Sequence, residues 1–229
     1  MIYVENKRRK IEKIKEQYPN ADILDITSSS KLRYAQILSP FYPHGNIPIP
    51  FTDGLKATCV EAVWQGLKVF DSCDIDLNTF KNDTMKGLKR TIRMFGKPLG
   101  HRKGVYGKEL LNYFDARMLI YIPTYKWVLD NVPEVHNVLM RIKERSKNHD
   151  IVFLDYNTNT EFRDTSSPLS HAGLVKLYIE GNYPEEGKTY TPFSEAEIKQ
   201  RKNVMKESKK VSKKRNKSNV EQLNIFKNE

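Results

Sequence analysis

A chain of 229 residues, 38% of them hydrophobic, is long enough for one domain with a substantial core and short for two. Its two cysteines, Cys59 and Cys73, give neither a disulfide framework nor a metal-ligand spacing, no apolar run approaches the roughly 20 residues that span a bilayer, and the N-terminal stretch with its basic cluster Lys7–Lys10 lacks an apolar leader; the expectation is a cytoplasmic protein with no membrane, metal or cofactor. The formal net charge of +11 is unevenly placed, because residues 199–229 hold 11 Lys+Arg against 3 Asp+Glu and residues 1–198 hold 28 against 25.

Residues 5–17 read as an exposed charged helix with a thin stripe of Ile11 and Ile14, ended by Tyr18-Pro19-Asn20. Ala21–Thr27 alternates and is β-branched, which predicts a strand. Pro40, Pro43, Gly45, Pro48 and Pro50 then exclude a regular helix and predict an ordered loop of the kind that shapes sites. Helical patterns cover 58–70, 83–95, 107–119, 122–130, 133–146 and 170–180, and Asp150–Asp155 reads as a buried strand. Ser194 with Glu197 three residues on predicts a capping box for a helix over 194–210, beyond which the Lys/Ser/Asn composition predicts disorder. The expected architecture is α+β: a helix-rich single domain over residues 1–195 with a small β-sheet including 21–27 and 151–155, then a basic flexible tail over 196–229 that is disordered from about Lys209.

The chemistry concentrates in Cys59–Phe70. At 100° per residue, Trp64, Gln65 and Lys68 lie at about 300°, 40° and 340° from Glu61 on a helix, so a carboxylate, an indole, an amide and an ammonium share one stripe. Solvated charges beside a packing Trp would need no ligand. A Trp within the polar stripe also suits stacking on a flat ring, with Gln65 reading polar edges and Glu61 doing acid/base work. Two basic clusters suit a phosphate-bearing ligand. Gly96–Gly104, with Lys97, His101, Arg102 and Lys103, offers backbone amides and cations without being a Walker loop. Asn82–Arg93 reads as a basic helix with Asn82 or Asp83 as N-cap. Ser170-His171 opens a helix, where a lone His is more often structural.

The pattern Glu61-x-x-Trp64-Gln65-x-x-Lys68-x-Phe70 resembles the signature helix of the NADAR (YbiA-like) family of N-glycosidases. Order and spacing agree at Phe41–Phe51, Asn112–Met118, Tyr125–Asn131, Ile151–Asp155 and Pro168–Gly181, so the resemblance covers residues 38–181. One departure is the absence of the family's Trp-Gly pair after the last strand. The acidic residue expected there maps to Asp155 or Asp164, beside Asn157. The resemblance implies cleavage of an N-glycosidic bond, including release of ADP-ribose from modified bases, through an oxocarbenium-like sugar. Glu61, Lys68 and Asp155 would be its catalytic residues, with Trp64, Gln65, His101, Arg102, Asn157 and Asp164 binding substrate. A non-catalytic nucleotide-binding module and a small-metabolite N-glycosidase are the alternatives.

Lys206–Lys217 is a cationic segment suited to sequence-independent contact with DNA, single-stranded or with a flipped base. Gln222-Leu223-Asn224-Ile225-Phe226 resembles the bacterial sliding-clamp-binding peptide, which implies a clamp partner anchored by Gln222, Leu223, Ile225 and Phe226. A tail that seeks DNA gives a base-modifying glycosidase local concentration and gives a metabolite enzyme nothing.

Overall fold

Ile151–Asp155 (β8) is the strand around which the first layer forms. All five residues are buried, as expected of a strand covered on both faces. It lies between Ile2–Asn6 (β1) and Asp22–Asp25 (β2), parallel to both. Alternation along β8 sends Val152 and Leu154 against Ile14 of the helix Ile11–Gln17 (α1), while Ile151 and Phe153 join the main core. The computed structural model describes residues 1–204. The fold is α+β and helix-rich, as the sequence predicts.

The expected helix over 5–17 is shorter at its start, because Ile2–Asn6 pairs with a strand some 149 residues away. A local pattern carries no trace of such a partner. The Pro-rich stretch after the short helix Arg33–Gln36 (α2) is ordered and contributes one strand, Ile47–Pro48 (β3), to a two-stranded ladder with Lys56–Ala57 (β4). The helix expected over 58–70 is Val60–Gly66 (α3), capped by Cys59, whose Sγ accepts from the Ala62 amide. It stops because Gly66 packs against Phe80 and the chain then turns into Lys68–Phe70 (β5). A Cβ on Gly66 would sit 2.3 Å from the Phe80 ring, itself 4% exposed and unable to retreat. Gly66→Ala should therefore cost about 1–3 kcal/mol, read as a lower urea midpoint with unchanged slope.

The basic helix expected over 83–95 shrinks to Ile92–Phe95 (α4). Asn82 Oδ1 accepts from the Thr84 amide and hydroxyl, and Met85 and Gly87 adopt φ of +60° and +68°, which breaks helical continuity. The glycine-rich stretch 96–104 is largely a strand, Pro98–Arg102 (β6). It pairs antiparallel with β5 and with Leu110–Leu111 (β7), so its amides are not a free anion cradle. Tyr113–Ala116 (α5) runs through a π-helical turn, Arg117–Tyr121, into Ile122–Asn131 (α6) and Pro133–Arg145 (α7). The last helix of this unit is His171–Ile179 (α8), capped by Ser170.

These elements form one unit, Met1–Tyr190, and Thr191–Glu229 groups separately. In the second group residues 195–204 are helical. The predicted capping box is present there: Ser194 Oγ accepts from the Glu197 amide at 3.3 Å, and Glu197 Oε2 accepts from the Ser194 amide at 2.8 Å. The basic segment 206–217 and Gln222, Leu223, Ile225 and Phe226 lie outside the described residues.

Candidate functional site

α3 and the β5–β6 ladder meet at a half-enclosed cavity of about 650 Å³. α3 supplies Glu61, Trp64 and Gln65. Lys68 comes from β5 instead of a further helical turn, and His101 is its cross-strand partner on β6. The sequence stripe is therefore assembled, but by a helix–strand junction. Aromatic walls come from Phe41, Trp64, Tyr113 and Tyr121, and the Pro-rich segment contributes Ser39, Pro40 and Phe41. The amide of Glu61 donates to the Pro40 carbonyl at 2.8 Å, tying this loop to the first turn of α3.

Glu61 is 7% exposed. Its Oε1 accepts from Gln65 Nε2 at 2.6 Å, and Gln65 Oε1 accepts from Lys68 Nζ at 2.8 Å and from the Arg90 amide at 3.1 Å. A backbone N–H can only donate, so the Arg90 amide fixes which end of the Gln65 amide is oxygen and which faces Glu61. The amide dipole thus lies in line between a cation and a carboxylate. Because Oε1 is an acceptor here, a protonated Glu61 carries its proton on Oε2, the oxygen without a hydrogen bond among the described residues. Burial raises the Glu61 pKa above its ordinary value, opposed by the Gln65 hydrogen bond and the Lys68 charge. Burial likewise lowers the Lys68 pKa, with Glu61 opposing. Lys68→Met should push the Glu61 pKa higher still, read by titrating the ¹³C shift of its carboxyl carbon; an unmoved midpoint would refute the coupling.

His101 stacks on Trp64 with ring centroids 3.8 Å apart, and neither of its ring nitrogens has a hydrogen-bond partner among the described residues. Burial, aided by Lys68, pushes its pKa down to about 3, so it is neutral near pH 7. One face of Trp64 is thereby occupied by His101, while Tyr113 and Tyr121 meet the indole edge-on. The expected stacking of Trp64 on a ligand ring is restricted to its remaining surface.

Asp155 lines the cavity, but its carboxylate is already engaged. Oδ1 accepts from the Tyr156 amide at 2.6 Å, and Oδ2 accepts from Ser170 Oγ at 2.6 Å and the Ala172 amide at 3.4 Å, with His171 Nδ1 3.0 Å away. His171 Nε2 faces the Ile26 carbonyl at 2.9 Å. Both nitrogens thus face acceptors and both must donate, which makes His171 an imidazolium. Although burial disfavours charge on each, their attraction wins: the His171 pKa is raised and that of Asp155 falls to about 2. This buried pair fastens β8 to α8 and to the chain after β2.

Asn157 is exposed at the lip of the cavity. Arg102 and Asp164 are corrections to the expected set, since neither lines the cavity. With His101 facing the cavity, strand alternation turns Arg102 away, to Asp74 Oδ1 at 2.6 Å and the Gly107 carbonyl at 3.1 Å. The Asp164 carboxylate accepts from the Ser166 amide, and its carbonyl accepts from Arg117. Sequence reasoning missed Arg117 and Tyr121, which the π-helical turn directs at the cavity. Arg117 is 2% exposed and donates to the Phe162, Asp164 and Ser167 carbonyls, so it braces the loop after β8.

The fold and site define a helix-rich α+β protein whose cavity holds one open, buried carboxylate beside a lysine. The chain belongs to a family of unknown function (DUF6939), whose pattern matches residues 6–175. No curated protein matches it. Among the described residues no group of His, Cys, Asp and Glu side chains is arranged to hold a metal ion, and no helix is long and apolar enough to cross a membrane.

Proposed function

We propose that this protein is an N-glycoside hydrolase acting on ADP-ribosylated or otherwise modified bases in DNA. The observation that carries the proposal is Glu61. One oxygen is fixed by Gln65 and through it linked to Lys68, while the other is open to a cavity with aromatic walls. Its resemblance to the NADAR signature adds a reaction class. The C1–N bond breaks with its electron pair leaving on the base nitrogen, and an oxocarbenium-like sugar forms. Water adds through oxygen at C1 and gives a proton to Glu61, which passes that proton to the departing base nitrogen and is left ionised again. Lys68, held through Gln65, favours the ionised form of Glu61 against the opposing effect of burial and orients it. Asp155 contributes by position, holding the wall that includes Thr27, Asp155 and His171. Lys206–Lys217 would hold the enzyme on DNA, and Gln222-Leu223-Asn224-Ile225-Phe226 would recruit it to a sliding clamp.

One observation favours a second reading. Glu61 and Asp155 are the acidic residues lining the cavity among the described residues, and Asp155 is saturated. A site with one free carboxylate also suits a non-catalytic nucleotide-binding module. Mass spectrometry separates the two, using single-stranded DNA carrying ADP-ribosylated guanine or other hypermodified bases. Release of ADP-ribose or free base is the expected result. Tight binding without product selects the binding module, and product from free nucleotides alone selects a metabolite N-glycosidase.

A further inference from the structure

The basic character of the folded unit is concentrated beside the cavity. Residues 81–103 hold eight Lys+Arg against the single acid Asp83. Arg90 is spent on the Gln65, Lys68 and Asp74 carbonyls, Arg102 on Asp74, and Lys103 on Glu109. Lys81, Lys86, Lys89, Arg93 and Lys97 form no ion pair among the described residues, and Lys89 and Lys97 line the cavity mouth.

Apolar side chains stand out between these cations. Ile92, Met94 and Leu99 are 68%, 71% and 54% exposed, and Ile92 and Leu99 also line the mouth. Their exposure comes from a turn that is anchored elsewhere. Phe95 packs on Phe70 at 5.3 Å, the Arg90 guanidinium lies 5.3 Å from the Phe95 ring, and Ser72 Oγ donates to the Phe95 carbonyl at 3.1 Å. With Phe95 fixed inward and Gly96 at φ +83° ending the turn, the remaining side chains of α4 face water. Three large apolar groups exposed within eight residues, interleaved with cations that form no ion pair among the described residues, mark an interaction edge.

We propose that this edge docks a single-stranded nucleic acid. The phosphates meet Lys89, Arg93 and Lys97, the flanking bases pack on Ile92, Met94 and Leu99, and one base enters the cavity. The proposal deepens the N-glycosidase reading, on which the entering base rests, by assigning polymer recognition to the folded unit and not to residues 206–217 alone. Charge complementarity selects a polyanion, and the exposed apolar faces suit the unstacked bases of a single strand. An anionic membrane fits less well, because a four-residue helix cannot present a continuous apolar face to lipid.

The test uses the full chain with an unmodified 20-nucleotide oligothymidylate, read by fluorescence anisotropy across a salt series. Lys89→Ala/Arg93→Ala/Lys97→Ala should weaken binding and flatten the slope of log K against log salt by about 2. Ile92→Ser/Met94→Ser/Leu99→Ser should weaken binding at least about threefold with the slope unchanged. Circular dichroism should match wild type for both, since all six side chains are solvent-facing. Unchanged affinity in either triple variant overturns the proposal. So does equal loss of binding to phosphatidylserine vesicles, which would mark a generic polyanion surface. Unmodified oligothymidylate carries no modified base to release, so binding here with no product on modified DNA removes only the glycosidase reading. Product formation with an unchanged salt slope removes only the docking edge.

Discussion

Glu61→Gln is expected to lose about 10³-fold in kcat/KM for base release, ~4 kcal/mol of transition-state stabilisation, while the fold persists. The substitution keeps the shape of the side chain, and the new amide can turn its oxygen toward Gln65 Nε2, so the 2.6 Å contact survives. What disappears is the charge beside C1 and the proton acceptor for water. Wild-type kcat/KM should rise with pH as Glu61 ionises, with a midpoint above the ordinary carboxylate range because burial raises its pKa. It should fall again at alkaline pH as Lys68 loses its proton below the ordinary lysine value. The measurement is product release by mass spectrometry against pH, for wild type and Glu61→Gln, with near-ultraviolet circular dichroism as the check on folding. A well-folded Glu61→Gln protein that retains wild-type turnover would exclude Glu61 from the chemistry.

Much of this site could be read in the sequence, and the places where it could not have physical causes. Glu61, Trp64 and Gln65 follow from helical periodicity alone. Lys68 was rightly grouped with them for the wrong geometric reason. A helical stripe and a helix that ends at Gly66 before a strand both bring residue 68 alongside residue 65. The buried strand Ile151–Asp155 is legible because its four consecutive apolar residues, Ile151–Leu154, mark a strand covered on both faces. Its partner Ile2–Asn6 was not, because that pairing is set by a contact across the whole domain. Arg102 points away from the cavity because adjacent strand residues face opposite ways, and the glycine-rich, basic sequence of 96–104 hides that alternation. Arg117 and Tyr121 depend on a π-helical turn, which shifts side chains off the 3.6-residue period used to look for them.

Asp155→Asn tests whether the buried pair with His171 holds the wall of the cavity, and its expected cost is about 3 kcal/mol of folding stability near pH 5.5. The fall of the Asp155 pKa from 3.8 to about 2 accounts for ~2 kcal/mol of that, the remainder coming from desolvated partners left without an acceptor. The sign of the pH dependence follows from both groups. Asp155, with its folded pKa depressed, contributes stability that is present above 3.8 and is lost as pH falls toward 2. His171, with its folded pKa raised, contributes stability that is fully present below 6.5 and is lost as pH rises through its folded value. In the Asn variant the imidazolium has no counter-charge, so burial drives His171 neutral in the fold and acid then favours the unfolded chain. The difference between wild type and variant should therefore be greatest between pH 4 and 6.5 and shrink on either side. Urea midpoints at pH 3, 5.5 and 9 measure it. A difference that stays constant across the three would mean that hydrogen bonds to Ser170 and Tyr156, and not the charge on His171, are what Asp155 supplies.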